Sequence, residues 1–401
     1  MVDISERKYV VEEKIIITRK ENRLYMLHLR DDKLLQIRIT PEEKENILGN
    51  IYIGKIKNIV KNISAAFVEI GAGQVAYLPL KEIKMPLLAG EKLRAGDEVV
   101  VQVRTEPVKT KPAGLTGLIE LTGKYLVLTR GRTQISLSGK IHGQERREAL
   151  KQLLVPFKNE EYGFILRTNA GEAEEEQILK EAEKLKKKYQ EIVEISPHRT
   201  CFSVVYKAPP EYLCELRDGY SSEIGQYITD CPDIYEQMKG YLEEFQPEDL
   251  GKLSFYQDEQ VSLFTLYNLS AGIRQATDKN VWLKSGAGLV IEPTEALTVI
   301  DVNTGKAIRG KKNVEQTFLT INKEAAVEIA RQLRLRNLSG IIIVDFIDMR
   351  EEWHKEELLA LLRKEVAKDP VKTVVVGMTA LGLVEITRKR QRKPLHEMLK
   401  K

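Results

Sequence analysis

The feature that most constrains the fold lies in the last third of the chain. Two apolar runs, ALTVIDVNTG (296–305) and GIIIVDFIDM (340–349), flank a stretch of helical periodicity, NVEQTFLTINKEAAVEIARQLRLRNL (313–338). Apolar strands on either side of a helix of that length make a strand–helix–strand unit, whose crossover joins parallel neighbours. A second helical stretch, EEWHKEELLALLRKEVA (351–367), and a third apolar run, KTVVVGM (372–378), continue the alternation. The expectation is a mostly parallel sheet.

Ligands of such a sheet collect outside the carboxyl ends of the strands, and each of the first two strands carries an aspartate toward that end, Asp301 and Asp345. On adjacent strands the two carboxylates meet in one pocket, and a divalent cation relieves their repulsion. Magnesium suits the arrangement, because it takes oxygen ligands, keeps several waters and is commonly held by one or two carboxylates plus phosphate oxygens. Asn303, two positions beyond Asp301, falls on the same face and can orient that carboxylate. Gly305 and Gly310 permit close backbone approach, while Lys306, Arg309 and Lys311 are available to a phosphate backbone. Together these features point to phosphodiester chemistry. Taken singly, an aspartate at a strand end more often closes a turn or caps a helix, and Asp348 reads as the cap of the helix beginning near Arg350.

Upstream the pattern is mostly β. KIIITRKENRLYMLHLRDDKLLQIRIT (14–40) has apolar runs broken by Lys-Glu-Asn and Arg-Asp-Asp-Lys turn signals and reads as hairpins. The segments 50–83, with Gly71 and Gly73 at a turn, and 92–107, with an Ala-Gly-Asp turn, bring the count to about five short strands in some 80 residues, which fits a small barrel such as the OB-fold. Helical spacing follows in GQERREALKQLL (143–154). It recurs in GEAEEEQILKEAEKLKKKYQEIVE (171–194), where Ile178, Leu179, Ala182, Leu185, Tyr189 and Ile192 form one stripe with glutamates early and lysines late. The fold class is therefore a multidomain mixture of α and β.

A chain of 401 residues suggests two to four domains at roughly 100–200 residues each. The formal charge is only +4, so a surface for nucleic acid must come from local clustering, as in TRKRQRK (387–393) and around Lys306. No run approaches the roughly 18 apolar residues of a membrane span, and MVDISERKYVVEEK lacks the apolar core of a signal peptide, so a cytoplasmic location and no membrane partner are expected. Cys201, Cys214 and Cys231 show no CxxC spacing, and the five histidines show no metal spacing. No P-loop, nucleophile elbow or dinucleotide fingerprint is present.

VIDVNTG (299–305) followed by EAAVEIARQLRLRNLSGIIIVDFIDM (324–349) resembles the catalytic core of the ribonuclease E/G family. The resemblance extends back through IEPTEALT (291–298), RTNAG (167–171) and IYIGKIKNIVKNISAAFVEIG (51–71), in the family's order. It implies an S1-like OB-fold domain at 36–118, a 5′-sensor region at 119–212 and a DNase I-like catalytic α/β region at 279–401 with a basic tail. An RNase H-like subdomain would be assembled from 1–35 and 213–278.

The same resemblance implies a magnesium-dependent endoribonuclease, with manganese as an alternative. It acts on single-stranded RNA, with a preference for A/U-rich strands, in processing and decay, leaving a 5′-phosphate and a 3′-hydroxyl. Asp301 and Asp345 match the metal ligands and Asn303 the polar residue that supports them. Arg167 and Thr168 match the pocket for a monophosphorylated RNA 5′ end, with Gly123 and Val127 on its other wall; a guanidinium fork and a hydroxyl are apt groups for phosphate. Phe67, Tyr77 and Lys111 match RNA-contacting positions of the OB domain. Phe67, an aromatic in an apolar strand, equally reads as core.

The family's zinc-sharing CPxCxG element has no counterpart here, because no cysteine follows Cys231. No zinc is expected, and self-association, if present, is expected to use other contacts. The alternative function is a non-catalytic RNA-binding protein using the OB domain, and a third reading is a nuclease acting on DNA. Paired carboxylates argue against the binder, since they repel phosphate unless a metal is present.

Overall fold

The computed structural model describes residues 13–42, 46–83, 87–90, 92–107, 111–219, 224–307, 313–390 and 392–399. The chain divides into two compact units, one of residues 1–44, 223–240 and 248–401, the other of residues 45–222 and 241–247.

In the first unit a six-stranded sheet runs in the order Asn280–Trp282, Gly288–Pro293, Leu297–Asn303, Gly340–Asp345, Val384–Arg388, Thr373–Met378. Leu297–Asn303 and Gly340–Asp345 are parallel neighbours joined by the helix Val314–Leu335, as the strand–helix–strand pattern predicts. The expected mostly parallel sheet is not what forms. The described pairings on either side of that central pair are antiparallel. The reason is local: Thr379 N–H bonds to the Leu383 carbonyl at 2.8 Å and Gly382 takes φ +82°, so the third run turns back as a hairpin. Its return strand inserts next to Gly340–Asp345, and so short a connection can join only antiparallel strands.

Alternation decides what the sheet covers. Thr298, Ile300, Val302, Ile342 and Val344 are buried, and the apolar ones pack with Leu319, Ala326, Ile329 and Leu333 of the long helix and Leu358 and Leu362 of the helix Glu352–Val366. The intervening residues Val299, Asn303, Ile341 and Asp345 are exposed on the other face. A second sheet of this unit has the order Leu253–Phe255, Ile224–Thr229, Glu13–Lys20, Arg23–Arg30, Lys33–Pro41. Its hairpins turn at Glu21-Asn22 and Asp31-Asp32, all four with positive φ, as two-residue turns matching strand twist require.

The second unit contains a closed five-stranded barrel of Ile51–Val60, Ala65–Glu69, Val75–Pro79, Gly114–Thr116 and Glu98–Thr105, shut by pairing of the first strand with the last. Ile56, Val68, Leu78, Val99, Val101 and Leu115 fill it. Gly54 is required where the wall folds inward, since a Cβ there would lie 2.5 Å from Val68 Cγ1. A four-stranded sheet, Ser136–Leu137, Tyr162–Leu166, Leu126–Arg130, Glu120–Thr122, packs against the helix Glu175–Ile195 through Ile178, Ala182, Tyr189 and Ile192. Glu174 and Gln177 close that helix's capping box. No described helix is long and apolar enough to cross a membrane.

Candidate functional site

Asp301 and Asp345 are register partners across the parallel pair, which puts their Cα atoms roughly 4.8 Å apart on one face of the sheet. The Asp345 carboxyl is pushed above the ordinary aspartate range, first by burial and then by the charges of Asp301 and Asp348. Asn303 Nδ2 donates to Asp301 Oδ2 at 2.5 Å, so the amide two residues on does orient that carboxylate. Gly305, at φ +53°, begins the turn beyond it; a Cβ there would stand 2.4 Å from the Gly286 carbonyl oxygen. Lys306 is exposed on this turn. Arg309, Gly310 and Lys311 lie outside the described residues.

Three supporting residues were not singled out from sequence. Asn322, wholly buried on the long helix, donates from Nδ2 to the Ile347 carbonyl at 2.8 Å, and its Oδ1 accepts the Ile347 N–H at 3.1 Å. That clamps the chain two residues past Asp345. Glu315 Oε1 accepts the N–H groups of Arg350 and Glu351 at 2.9 and 3.3 Å and contacts buried His354 Nδ1 at 3.1 Å. The His354 bond, with the backbone donors, holds the Glu315 carboxyl below its usual range. Asp348 is therefore not the cap expected for this helix: the N-cap is Glu351, and the N–H groups there are taken by Glu315 from another helix. Asp348 instead adds a like charge beside Asp345.

Among the described residues no group of three or more His, Cys, Asp or Glu side chains is arranged to hold a metal. The aspartate pair offers two carboxylates with mutual repulsion and one orienting amide. That is an incomplete ligand set of the kind magnesium completes with water and phosphate oxygens.

In the second unit Arg167 and Gly123 of the expected phosphate pocket touch, with Thr168 next in the chain and Val127 on the strand that neighbours Tyr162–Leu166. Val127 pairs with Ile165, two residues before Arg167, and the Arg167 N–H bonds to the Tyr125 carbonyl at 2.8 Å. Arg167 Nη1 donates to the Gly123 carbonyl at 2.6 Å, and Thr168 Oγ1 lies 3.0 Å from Ser138 Oγ. Gly123 opens a turn whose next three N–H groups, of Lys124, Tyr125 and Leu126, all donate to the Glu181 carboxylate at 2.6, 2.8 and 2.7 Å. A Cβ on Gly123 would collide with that carboxylate at 2.3 Å. Burial pushes the Glu181 carboxyl up, and the three N–H donors pull against it. Glu181 lies some 55 residues from the turn it organises, so local sequence gives no sign of it.

Phe67 and Tyr77 face each other across neighbouring barrel strands, with ring centroids 6.1 Å apart and planes at 71°. Both are half-buried while Val68, Ala76 and Leu78 fill the interior, so Phe67 belongs to the barrel's outer surface rather than to its core. Lys111 is exposed, just before the strand whose Gly114 pairs with Tyr77.

Residues 120–391 match the model of the Ribonuclease E/G family. The chain is 37% identical to Ribonuclease G of Haemophilus influenzae over 97% of its own length and 81% of the relative's. It is 37% identical to Ribonuclease G of Escherichia coli K12 over 91% and 77% of the two chains. The chain belongs to the ribonuclease E/G family. Ribonuclease E of Synechocystis is 36% identical over 88% of this chain and 53% of its own. The matched span of this ribonuclease E/G family member contains the aspartate pair, Asn303 and the whole Gly123–Val127–Arg167–Thr168 cluster. Phe67, Tyr77 and Lys111 fall before it.

Proposed function

We propose that this family member is an endoribonuclease that cuts single-stranded RNA to 5′-phosphate and 3′-hydroxyl products, preferring 5′-monophosphorylated strands, in processing and decay of ribosomal and messenger RNA. The observation that carries the reading is the register of Asp301 with Asp345 on an exposed sheet face. A surface that only binds RNA gains nothing from two adjacent carboxylates, which repel phosphate.

Asp301 and Asp345 would hold a magnesium or manganese ion. When bound, that ion supplies Lewis-acid stabilisation of charge at the scissile phosphate. Asn303 fixes the Asp301 carboxylate, Asn322 fixes the chain beyond Asp345, and Lys306 and Arg309 offer cationic contacts to the RNA backbone. The half-buried Phe67 and Tyr77 rings offer stacking faces for bases, with Lys111 nearby in sequence to the same barrel edge. Gly123, Val127, Arg167 and Thr168 form the pocket for the terminal phosphate.

In the same reading the S1-like OB-fold domain lies within residues 36–118, less residues 36–41, which end the strand Lys33–Pro41 of the first unit's sheet, and 119–212 form the 5′-sensor region. Residues 1–35 with 213–278 form the RNase H-like subdomain, and 279–401 the DNase I-like catalytic region. The test is cleavage of a 5′-monophosphorylated single-stranded RNA with magnesium by the intact protein, Asp301→Asn and Asp345→Asn. Cutting by the intact chain, lost in both variants with RNA binding retained, supports the proposal. Tight binding without cutting by the intact chain overturns it in favour of an RNA-binding protein.

A further inference from the structure

Arg167 does not stand alone in its pocket. Its Nη2 donates to Asp218 Oδ1 at 2.8 Å, while its Nη1 is committed to the Gly123 carbonyl. Asp218 ends the helix Glu211–Asp218 and is in turn gripped by its neighbour: Arg217 Nε donates to Oδ1 at 2.9 Å and Arg217 Nη2 to Oδ2 at 3.0 Å. Arg217 Nη1 reaches the Thr122 carbonyl at 3.4 Å. Two guanidinium groups thus bind two successive carbonyls, Thr122 and Gly123, and share one carboxylate between them. Asn169 Nδ2 closes the arrangement on the Gly219 carbonyl at 3.1 Å.

We propose that Asp218, locked by Arg217, is a positioning residue that aims the Arg167 guanidinium at a terminal phosphomonoester. The inference rests on the reading of Arg167 as the 5′-phosphate residue and deepens it. A free arginine side chain samples many rotamers, and two fixed acceptors on one guanidinium remove that freedom before a ligand arrives. An arginine has five N–H donors, of which two are used here, and the Arg167 side chain keeps 23% of its exposure.

Charge decides between positioning and obstruction. A carboxylate beside an anion pocket repels phosphate unless its own charge is cancelled. The forked grip of Arg217 supplies that cancellation, and so the Arg167 charge remains for a ligand. The Asp218 carboxyl is accordingly ionised at any working pH: burial raises it, but the Arg217 and Arg167 charges and bonds outweigh burial and bring it down to about 2.

The experiment uses one RNA sequence with a 5′-monophosphate or a 5′-hydroxyl, cut by the intact protein, Arg167→Gln, Asp218→Asn and the double variant. The quantity read is the ratio of kcat/KM between the two RNAs, which cancels any general loss of active protein. The wild-type ratio is expected to exceed one and Arg167→Gln to bring it to one. Asp218→Asn is expected to lower it by about fivefold or more, through KM of the monophosphorylated RNA, with no further loss in the double variant. If Asp218→Asn does not fold, Arg217→Lys, which keeps the charge but loses the fork, should give the same fall. A ratio unchanged in Asp218→Asn, with Arg167→Gln reduced to one, overturns the positioning role alone. A ratio that rises identifies Asp218 as an obstruction instead. A ratio of one in the wild type, or one insensitive to Arg167→Gln, overturns the pocket and this inference together.

Discussion

Asn322 holds both polar atoms of the Ile347 backbone, donating to its carbonyl at 2.8 Å and accepting its N–H at 3.1 Å. The amide is wholly buried, and removing it takes a side-chain partner from both peptide groups of half-buried Ile347. Asn322→Ala should cost about 2–3 kcal/mol, seen as a melting temperature several degrees lower. Because the clamp lies two residues past Asp345, the magnesium concentration for half-maximal cleavage should also rise about tenfold or more. A variant that melts early but keeps the wild-type magnesium requirement would show that the clamp supports the fold and not the aspartates.

The paired aspartates should trade stability against activity. Asp301→Asn removes a like charge facing Asp345, which that charge helps to push up. In buffer with a chelator this variant should therefore melt no lower than the wild type, while cleavage with magnesium falls at least about 100-fold. Scanning calorimetry and single-turnover cleavage on the same preparations check both halves, and a strong loss of stability would contradict the repulsion argument.

Phe67 is half-buried on the outside of its barrel, against the edge of Tyr77. Phe67→Ala should weaken binding of a single-stranded RNA by about 1–3 kcal/mol, in the range of one lost stacking contact, with only a small change in melting temperature. Fluorescence anisotropy with a labelled RNA measures it, and binding equal to wild type would remove the ring from the RNA surface.

Glu13 sets an acid limit on the first unit. Burial pushes its carboxyl up, but bonds and charges from His28 and Arg30 outweigh burial and hold it below the ordinary range. A folded-state value below the unfolded one means the stabilisation is complete above about pH 5 and fades as pH falls through the folded value. Glu13→Gln should cost about 1–3 kcal/mol at pH 7, by removing the buried carboxylate that His28 and Arg30 share. The gap to wild type should narrow below about pH 4 in acid melts. A gap constant down to pH 3 would exclude the carboxylate as its source.

Much of this was legible in sequence where local chemistry decides. The strand–helix–strand unit around Asp301 and Asp345 follows from apolar runs either side of a long periodic stretch, and the Glu-Asn and Asp-Asp turns follow from residues that tolerate positive φ. The third run misled because an apolar strand after a helix looks the same whether it joins the sheet in parallel or starts a hairpin; the deciding signal was Gly382, four residues past its end. Phe67 was ambiguous because Ala65 and Ala66 are both buried, which erases the alternation that would place the ring outside. The proposed phosphate pocket rests on family likeness, because an Arg-Thr pair in a loop carries no local signal of its own. Glu181, Asp218 and Asn322 were invisible because each acts on a segment 25 to 60 residues away through contacts only the fold creates.

The side chains of a strand point alternately to the covered and the open face, and both aspartates depend on that parity. Sliding Gly340–Asp345 by one residue would present Val344 opposite Asp301 and turn Asp345 toward the helices. No intermediate setting keeps both side chains on the open face, so a slip of one residue would abolish the pair rather than weaken it. Core lesions in this sheet, such as Ile300→Ala or Ile342→Ala, should thin the population of competent molecules while each surviving molecule turns over at full speed.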